Sequence, residues 1–411
     1  MEEHLILLSK FKEKITMSTN QDHIVIVGAA RTPMGGMMGS LSEVTAPELG
    51  ACAIKVAVAN SAIDPQRIEQ VIMGCVLPGA MKQAPARQAS LGAGLPYSAG
   101  CVTISKMCGS GMKAVMDGHD QIKAGSSNII VAGGMENMSQ APYLLPKVRG
   151  GLRMGHGQVY DSMFYDGLED AYTGRLMGAF TQDCADDYGL TREAMDEFAI
   201  ESLSRANQAI KEGWFEAEIS PVTITSRKGK TVVNIDEQPG NANIEKIPTL
   251  RAAFKKNGTV TAANASSISD GASAVVLMLE SKAVEEGLSP LARIKAHSTQ
   301  ALAPSEFVIA PIGAIKKVLD KANWSTKDVD LWEINEAFAA VTILATQELK
   351  LDPKLINIHG GACALGHPVG SSGSRIIISL IYALKRLGKK RGIAALCIGG
   401  GEATAIAIEI L

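Results

Sequence analysis

The chain has 411 residues, of which 46% are hydrophobic, 20% charged and 4% aromatic. This balance excludes a disordered or collagen-like chain, and the length suffices for two or three buried cores. A formal net charge of −2 argues against nucleic acid and membrane surfaces as partners. The seven cysteines have no paired spacing, and neither CxxC nor HExxH occurs. The sequence therefore predicts a reduced, cytoplasmic protein with neither a disulfide framework nor a metal site.

Residues 1–20 are expected to form a disordered N-terminal extension, because their apolar patch of four residues is too short for a signal peptide. From residue 21 onward, short apolar runs typical of buried strands alternate with helical spacings. The predicted strands are residues 23–27, 71–73 and 129–131, and the predicted helices are residues 47–61 and 109–123. Such alternation predicts an α/β domain around a mostly parallel sheet.

The second half of the chain repeats this order of elements. A Pro-led helix followed by a strand occurs at residues 47–73 and again at residues 311–334. A small-residue turn that opens a helix, followed by a strand ending in a Gly-rich motif, occurs at residues 108–136 and again at residues 370–402. Two matches in the same order predict a duplicated domain.

Residues 139–266, between the two halves, break the pattern. They contain an amphipathic helix for which Thr191 is the predicted N-cap and which runs to Lys211. A long insertion of this kind is typical of a lid or a binding element. The expected organisation is an N-terminal half of residues 21–138 plus 267–290, a loop domain of residues 139–266, and a C-terminal half of residues 291–411.

Cys108 is the first candidate for chemistry. It precedes a Gly-Ser-Gly turn and a predicted helix. The unpaired N–H groups and the dipole at a helix N-terminus lower the pKa of a thiol, which predicts a nucleophile at this position. The alternative is a small buried hydrophobe, the usual role of a free cysteine, and the local sequence leaves both open.

Three further candidates lie in glycine-rich turns or at strand ends. His367, before Pro368, fits either a base for the Cys108 proton or a hydrogen-bonded turn residue. Cys397 precedes three glycines whose N–H groups could bind an oxyanion, although a core cysteine is the simpler interpretation. Asn335 follows another strand, where it fits either an orienting residue for water or carbonyl, or a helix N-cap.

Seven motifs in order make the chain resemble the thiolase family from about residue 22 to residue 411. The motifs are residues 28–33 (GAARTP), 108–112 (CGSGM), 133–143 (GGMENMSQAPY), 264–271, 335–339 (NEAFA), 360–368 and 397–401. The resemblance implies an α/β fold of duplicated βαβαβαββ halves. These would form a layered α-β-α-β-α core, with an inserted loop domain that binds CoA and contributes to tetramer formation. It also implies an acyltransferase that reversibly condenses two acetyl-CoA to acetoacetyl-CoA plus CoA.

The resemblance implies a role for each matching residue. Cys108 matches the acyl-accepting nucleophile, His367 its base, and Cys397 the acid/base at the α-carbon of acetyl-CoA. Asn335, acting through a water, and His367 match a first oxyanion site, and the N–H groups of Cys108 and Gly399 match a second. The residues that match the lining of the pantetheine and acyl channel are Ser266, Leu168, Met177, Phe254 and Phe338.

The chain departs from the family pattern at three places. Leu176 occupies a position where short-chain biosynthetic members carry histidine, Gln182-Asp183 replaces a Glu-Asn pair, and His359 replaces a common asparagine. The first two leave open a degradative 3-ketoacyl-CoA thiolase of broader chain length, and a more distant alternative is a non-catalytic CoA- or lipid-binding relative. No cofactor is expected, since the CoA thioesters are substrates. The expected partners are acetyl-CoA, acetoacetyl-CoA, CoA and further copies of the chain in a dimer or homotetramer.

Overall fold

A ten-stranded mixed sheet forms the centre of the chain in this computed structural model, which describes residues 22–227 and 229–411. The extension predicted for residues 1–20 lies outside the described residues. The strands are β1 (Ile24–Arg31), β2 (Gly35–Gly36), β3 (Gln70–Gly74), β4 (Gly100–Ile104), β5 (Ile130–Asn137), β6 (Tyr143–Leu144), β7 (Tyr160–Asp161), β8 (Val222–Ser226), β9 (Gly229–Val233), β10 (Ser269–Leu279), β11 (Ala292–Ala301), β12 (Leu331–Ile334), β13 (Arg391–Ile398) and β14 (Glu402–Glu409).

The strands of the large sheet follow the order β12-β13-β14-β11-β1-β10-β5-β3-β4, and β2 pairs with β10. The helices are α1 (Ala46–Ser61), α2 (Pro85–Gly92), α3 (Ser110–Lys123), α4 (Met177–Asp187), α5 (Arg192–Lys211), α6 (Glu237–Asn241), α7 (Glu280–Glu285), α8 (Ala310–Ala322), α9 (Ala339–Leu349), α10 (Ala362–Leu365) and α11 (Ser372–Leu387). None of these helices is long and apolar enough to cross a membrane.

The prediction of a mostly parallel sheet is wrong. Among the described strands of the large sheet, the parallel ladders join β3 to β4 and β5, and β12 to β13. The remaining pairs of the large sheet are antiparallel. The turn of residues 399–401 is only three residues long, so it makes β13 and β14 a hairpin, and a hairpin joins antiparallel strands.

The predicted local elements are confirmed. The apolar runs at residues 23–27, 71–73 and 129–131 coincide with β1, β3 and β5. Helix α1 begins after a capping box in which Thr45 accepts from the Glu48 N–H while the Glu48 carboxylate accepts from the Thr45 N–H. Thr191 is the N-cap of α5, as its position before the amphipathic segment predicts.

Side-chain alternation along the strands sorts the core into layers. In β1, Val27 packs in the same cluster as α1, whereas Ile26 packs with α3 and α11. In β13, Cys397 packs with α8 and α9, whereas Leu396 packs with α3 and α11. Strands of both halves therefore share α3 and α11 as a central helical layer and are covered by other helices outside, which is the expected α-β-α-β-α arrangement.

The two central helices touch through glycine near their N-termini. A Cβ placed on Gly373 would lie 2.4 Å from the backbone nitrogen of Met112, and one on Gly111 would lie 2.6 Å from Ser374 Oγ. Helix α3 begins just after Cys108, and α11 begins shortly after His367. Glycine thus allows the two candidate catalytic segments to approach each other.

A buried ion-pair cluster joins the inserted region to the sheet. Arg31 in β1 donates to Glu218 at 2.6 Å and to the two carboxylate oxygens of Asp236 at 2.6 and 2.9 Å. Its guanidinium carbon lies 4.8 Å from the ring centre of Phe215. Because separating buried charges leaves one of them uncompensated, this cluster holds residues 215–236 against β1.

Replacement of Gly373 by alanine tests the contact between the central helices. We expect Gly373→Ala to lower the free energy of unfolding by about 1–3 kcal/mol, because the added methyl group meets backbone rather than a flexible side chain. This loss should appear although alanine is the better helix former by roughly 1 kcal/mol. Urea denaturation followed by circular dichroism measures the change.

Gly240→Ala is the matched control, since a Cβ there meets no described atom within 4 Å. We expect its free energy of unfolding to stay unchanged or to rise by up to about 1 kcal/mol, because the helical preference of alanine acts there without a steric cost. Equal losses in the two variants would contradict the close approach of α3 and α11.

Candidate active site

One cavity of about 240 Å³ brings nearly all of the predicted site residues together. The predicted residues that line it are Cys108, His367, Cys397, Gly399, Ser266, Leu168, Met177, Phe254 and Phe338. Hydrophobic side chains that the sequence analysis did not select complete the wall: Met138, Phe164, Phe307 and Val369. The cavity is therefore a mostly apolar chamber with two thiols and one imidazole in its wall.

Cys108 lies on a tight turn that leads into α3. Met107, just before it, has a φ of +44°, which is a left-handed conformation that costs a non-glycine residue about 1–3 kcal/mol. The turn is closed by the N–H of Gly109, which donates to the Lys106 carbonyl at 3.0 Å, and by the N–H of Ser110, which donates to the Met107 carbonyl at 3.0 Å. The strained turn directs the Cys108 side chain into the cavity wall.

The expectation of a lowered thiol pKa at Cys108 is wrong. Desolvation raises the pKa of the Cys108 thiol, the N–H groups of Gly399 and of Cys108 itself oppose that rise, and the Glu136 carboxylate adds to it. The helix N-terminus is present, but loss of water outweighs its effect. The resting nucleophile is thus a thiol, which needs a base before it can attack.

His367 offers one ring nitrogen to the cavity. Its Nδ1 lies 2.6 Å from Ser372 Oγ, and that hydroxyl donates its proton to the Pro368 carbonyl at 3.1 Å. In the tautomer that keeps this donation from Ser372, Nδ1 donates to the Ser372 hydroxyl and Nε2 is unprotonated. Nε2 is buried and has no hydrogen-bond partner among the described residues. Burial, with a further effect of the Arg375 charge, lowers the pKa of His367 to about 3, so the ring is a neutral base.

Cys397 lines the same cavity at the end of β13. Burial raises the pKa of its thiol, and so does the proximity of Cys108. The following turn contains Gly400 and Gly401 with φ values of +92° and +89°, which glycine adopts without strain. This turn directs the N–H of Gly399 toward the Cys108 sulfur. An N–H donor in this position suits an oxyanion formed at a carbonyl bound to that sulfur.

Asn335 is the one predicted site residue outside the cavity wall. It is buried just after β12, and its Oδ1 accepts a hydrogen bond from Arg375 at 3.4 Å. This contact orients the amide, because the guanidinium can only donate. The Nδ2 group is left buried without a partner among the described residues. A buried donor of this kind is suited to an ordered water, as the resemblance implies.

Glu136, in the motif of residues 133–143, is a supporting residue with no role predicted from the sequence. Its carboxylate accepts from the N–H groups of Val76, Leu77 and Gly370 at 2.8, 3.1 and 2.9 Å. Burial raises the pKa of Glu136 to about 7. It joins the end of β3 to the loop that follows His367, and no local signal in the sequence shows a contact between residues 234 positions apart.

Only one of the three departures from the family pattern reaches the cavity. Leu176 lines it, whereas Gln182 accepts from the backbone N–H groups of Thr259 and Val260 at 2.9 and 3.0 Å. His359 accepts a hydrogen bond from Arg386 at 2.9 Å and packs against aromatic rings. Of the two departures that leave chain length open, Leu176 is therefore the one that reaches the cavity, and it is the residue to test.

Alkylation of Cys108 should report its raised thiol pKa. Below that pKa the thiolate fraction rises about tenfold for each pH unit, so we expect the rate of iodoacetamide labelling to climb without a plateau from pH 7 to about 9. Timed labelling followed by peptide mass spectrometry measures this rate.

Glutathione is the reference, since labelling of an ordinary thiol levels off above a pKa near 8.5. A plateau for Cys108 below pH 8 would mean that the thiolate is already formed at rest.

Comparison with family models and with known proteins is consistent with this site. Residues 24–281 match the thiolase N-terminal domain, and residues 288–410 match the thiolase C-terminal domain. The acetyl-CoA acetyltransferase of Cupriavidus necator is 47% identical over 388 residues, which are 94% of this chain and 99% of that protein. The cytosolic acetyl-CoA acetyltransferase of Mus musculus is 47% identical over 396 residues, 96% of this chain and 100% of that protein.

Solved structures are similar over the same extent. The acetyl-CoA acetyltransferase of Bacillus anthracis has a TM-score of 0.93 and 42% identity, with 96% of this chain and all of that chain covered. A thiolase of Ascaris suum in complex with coenzyme A has a TM-score of 0.90 and 40% identity, with 95% of this chain and all of that chain covered. Matching domains that together cover most of its length, and this level of identity, show that the chain belongs to the thiolase family.

Proposed function

We propose that the chain is an acetyl-CoA C-acetyltransferase, which condenses two acetyl-CoA to acetoacetyl-CoA and CoA and catalyses the thiolytic reverse. One observation carries the proposal: a single cavity contains two protonated thiols, a neutral imidazole and an N–H donor facing the first sulfur. Relatives named acetyl-CoA acetyltransferase, at 47% identity over nearly the whole chain, support the same assignment.

The resting protonation states suit the thiolysis direction. His367 Nε2 takes the proton of Cys108, whose sulfur attacks the 3-keto carbon of acetoacetyl-CoA. The N–H groups of Cys108 and Gly399 bind the oxyanion that forms on that carbon. When the C2–C3 bond breaks, its electron pair forms the enolate of acetyl-CoA, and the acetyl group stays on Cys108.

Cys397 then supplies the proton that the departing enolate needs at its α-carbon. Because its thiol is protonated at rest, it is poised as an acid in this direction and acts as the base in condensation. The enolate oxygen is bound by His367 and by a water on Asn335 Nδ2. The Cys397 thiolate then takes the proton of the CoA thiol, the CoA sulfur attacks the acetyl-Cys108 thioester, protonated His367 returns its proton to the departing Cys108 sulfur, and acetyl-CoA leaves. The acetyl group passes from acetoacetyl-CoA to Cys108 and then from Cys108 to CoA, so the kinetics are ping-pong.

The size of the cavity supports a short acyl group. Its volume of about 240 Å³ is below the range of about 300–1,000 Å³ typical of sites for drug-sized ligands, and Phe164, Leu176 and Phe254 are among its walls. The alternative is a degradative thiolase of broader chain length. The observation that favours the alternative is Leu176, an apolar side chain at the position where short-chain members carry histidine.

A homodimer or homotetramer and a cytoplasmic location belong to the same proposal. Strand β4 ends the large sheet with an unpaired edge, where Val102 is 43% exposed, and such an edge favours pairing with another copy. The inserted region exposes Tyr143, Met154 and Tyr172, which supports a second contact between copies. The cytosolic mouse relative and the free cysteines support the location. The proposed chemistry uses side chains and backbone donors only, with CoA thioesters as substrates.

A thiolysis assay with acetoacetyl-CoA and 3-ketodecanoyl-CoA tests the proposal. We expect turnover of the short substrate with a kcat/KM at least about tenfold higher than for the long one, because the cavity leaves little room for a decanoyl chain. Cys108→Ala should reduce kcat by about 1000-fold or more, since it removes the nucleophile.

Cys52→Ala is the matched control, as Cys52 lies outside the cavity and hydrogen-bonds to Ser220, and it should retain wild-type turnover. Equal or faster turnover of the long substrate would favour the degradative alternative. Binding of CoA without turnover of either substrate would favour the non-catalytic relative.

A further inference from the structure

Three side chains with metal-binding chemistry converge outside the catalytic cavity. They are His119 and Asp120, near the C-terminal end of α3, and His297 in β11. One oxygen of Asp120 lies 2.8 Å from His119 Nδ1 and 2.9 Å from His297 Nε2. All three donor atoms lie within 4.8 Å of one another. We name these residues the His-Asp-His cluster.

The two imidazoles are packed in place, and the carboxylate opens the cluster to solvent. The His119 and His297 side chains are 15% and 16% exposed, and their rings meet edge to face with centroids 5.0 Å apart. Asp120 is 58% exposed, which provides a route for a hydrated ion. A preformed and accessible set of donors costs little conformational entropy when an ion binds.

Two ammonium groups near the cluster each donate to a backbone carbonyl. The Nζ of Lys123 donates to the Asp22 carbonyl, and the Nζ of Lys321 donates to the His297 carbonyl at 3.0 Å. Neither lysine is paired with the Asp120 carboxylate. Its recorded partners are the two imidazoles, which use it as a shared acceptor.

We propose that the His-Asp-His cluster binds one divalent transition-metal ion, with Zn²⁺ as the best match. Two imidazole nitrogens and one carboxylate oxygen make a three-ligand set that leaves a fourth tetrahedral position for water. Ligand distances of about 2.0–2.2 Å place tetrahedral donors about 3.3 Å apart, so the two nitrogen–oxygen separations of 2.8 and 2.9 Å need to open by only about 0.4–0.5 Å. His119 Nδ1 and His297 Nε2 can each bind the ion once the proton of that ring has moved to its other nitrogen. Each ring stays neutral, so the protein releases no proton when the ion binds.

The position of the cluster indicates a stabilising role. Helix α3 starts just after Cys108, whereas β11 belongs to the C-terminal half and pairs with β1 of the N-terminal half. An ion bound here would link the C-terminal end of α3 to β11, where the C-terminal half pairs with the N-terminal half. None of the three ligands lines the catalytic cavity, so the ion would act on stability rather than on the chemistry.

Zinc binding by the metal-stripped, full-length protein tests the proposal. We expect the wild-type protein to bind one equivalent of Zn²⁺ with micromolar or tighter affinity and to gain several degrees in Tm, because a ligand that binds only the folded state stabilises it. The double variant His119→Gln/His297→Gln should lose that equivalent and the Tm gain. Asp120→Asn is a milder variant that should weaken binding without removing either imidazole.

His156→Gln is the matched control, because His156 is exposed and lies outside the cluster, and it should bind as the wild type does. Thiolysis activity without added metal reports whether each variant is folded. Cobalt spectra separate the cluster from the cysteines, since a thiolate ligand adds a near-ultraviolet charge-transfer band. Wild-type protein that binds no equivalent, an equivalent that persists in the double variant, or a thiolate band would overturn the proposal.

Discussion

The contact between helices α3 and α11 is the constraint on which the site depends. Gly111 and Gly373 let the first turns of these helices meet at distances that a Cβ would forbid. Each helix follows one reacting group, so their separation sets how near Cys108 comes to His367. The two halves share these helices as one central layer. The cavity therefore takes Cys108 from the N-terminal half and His367 and Cys397 from the C-terminal half.

Loss of water determines the protonation states inside the cavity. It raises the pKa of both thiols and lowers that of the imidazole, so all three groups are uncharged at rest. Neutral groups cost little to bury, whereas a thiolate-imidazolium pair would need more compensation. Ser372 binds His367 Nδ1, which leaves Nε2 as the acceptor. Arg375 binds Asn335 Oδ1, which leaves Nδ2 as the donor. The supporting residues orient the reacting atoms without touching substrate.

Local patterns in the sequence predicted local structure well. Thr191 could be placed as an N-cap because a capping residue acts within a few positions of itself, and the site residues could be placed through motifs. The prediction of mostly parallel strands was wrong, because strand direction depends on which strands pair across long distances in the sequence. The predicted shift in the pKa of the Cys108 thiol had the wrong sign, because a helix N-terminus can be inferred from the sequence whereas burial of the thiol cannot. The cluster of His119 with His297 was missed for a similar reason, since 177 positions separate Asp120 from His297.

The central claim is that Cys108 carries the acetyl group between two CoA molecules. Incubation of the protein with acetyl-CoA alone, followed by acid quenching, digestion and mass spectrometry, tests it most directly. The proposed mechanism predicts one acetyl group on the peptide that contains Cys108, its release when CoA is added before the quench, and no labelling of the Cys108→Ala variant. An acetyl group found on Cys397 instead, or turnover of acetoacetyl-CoA with no acetylated Cys108, would contradict it.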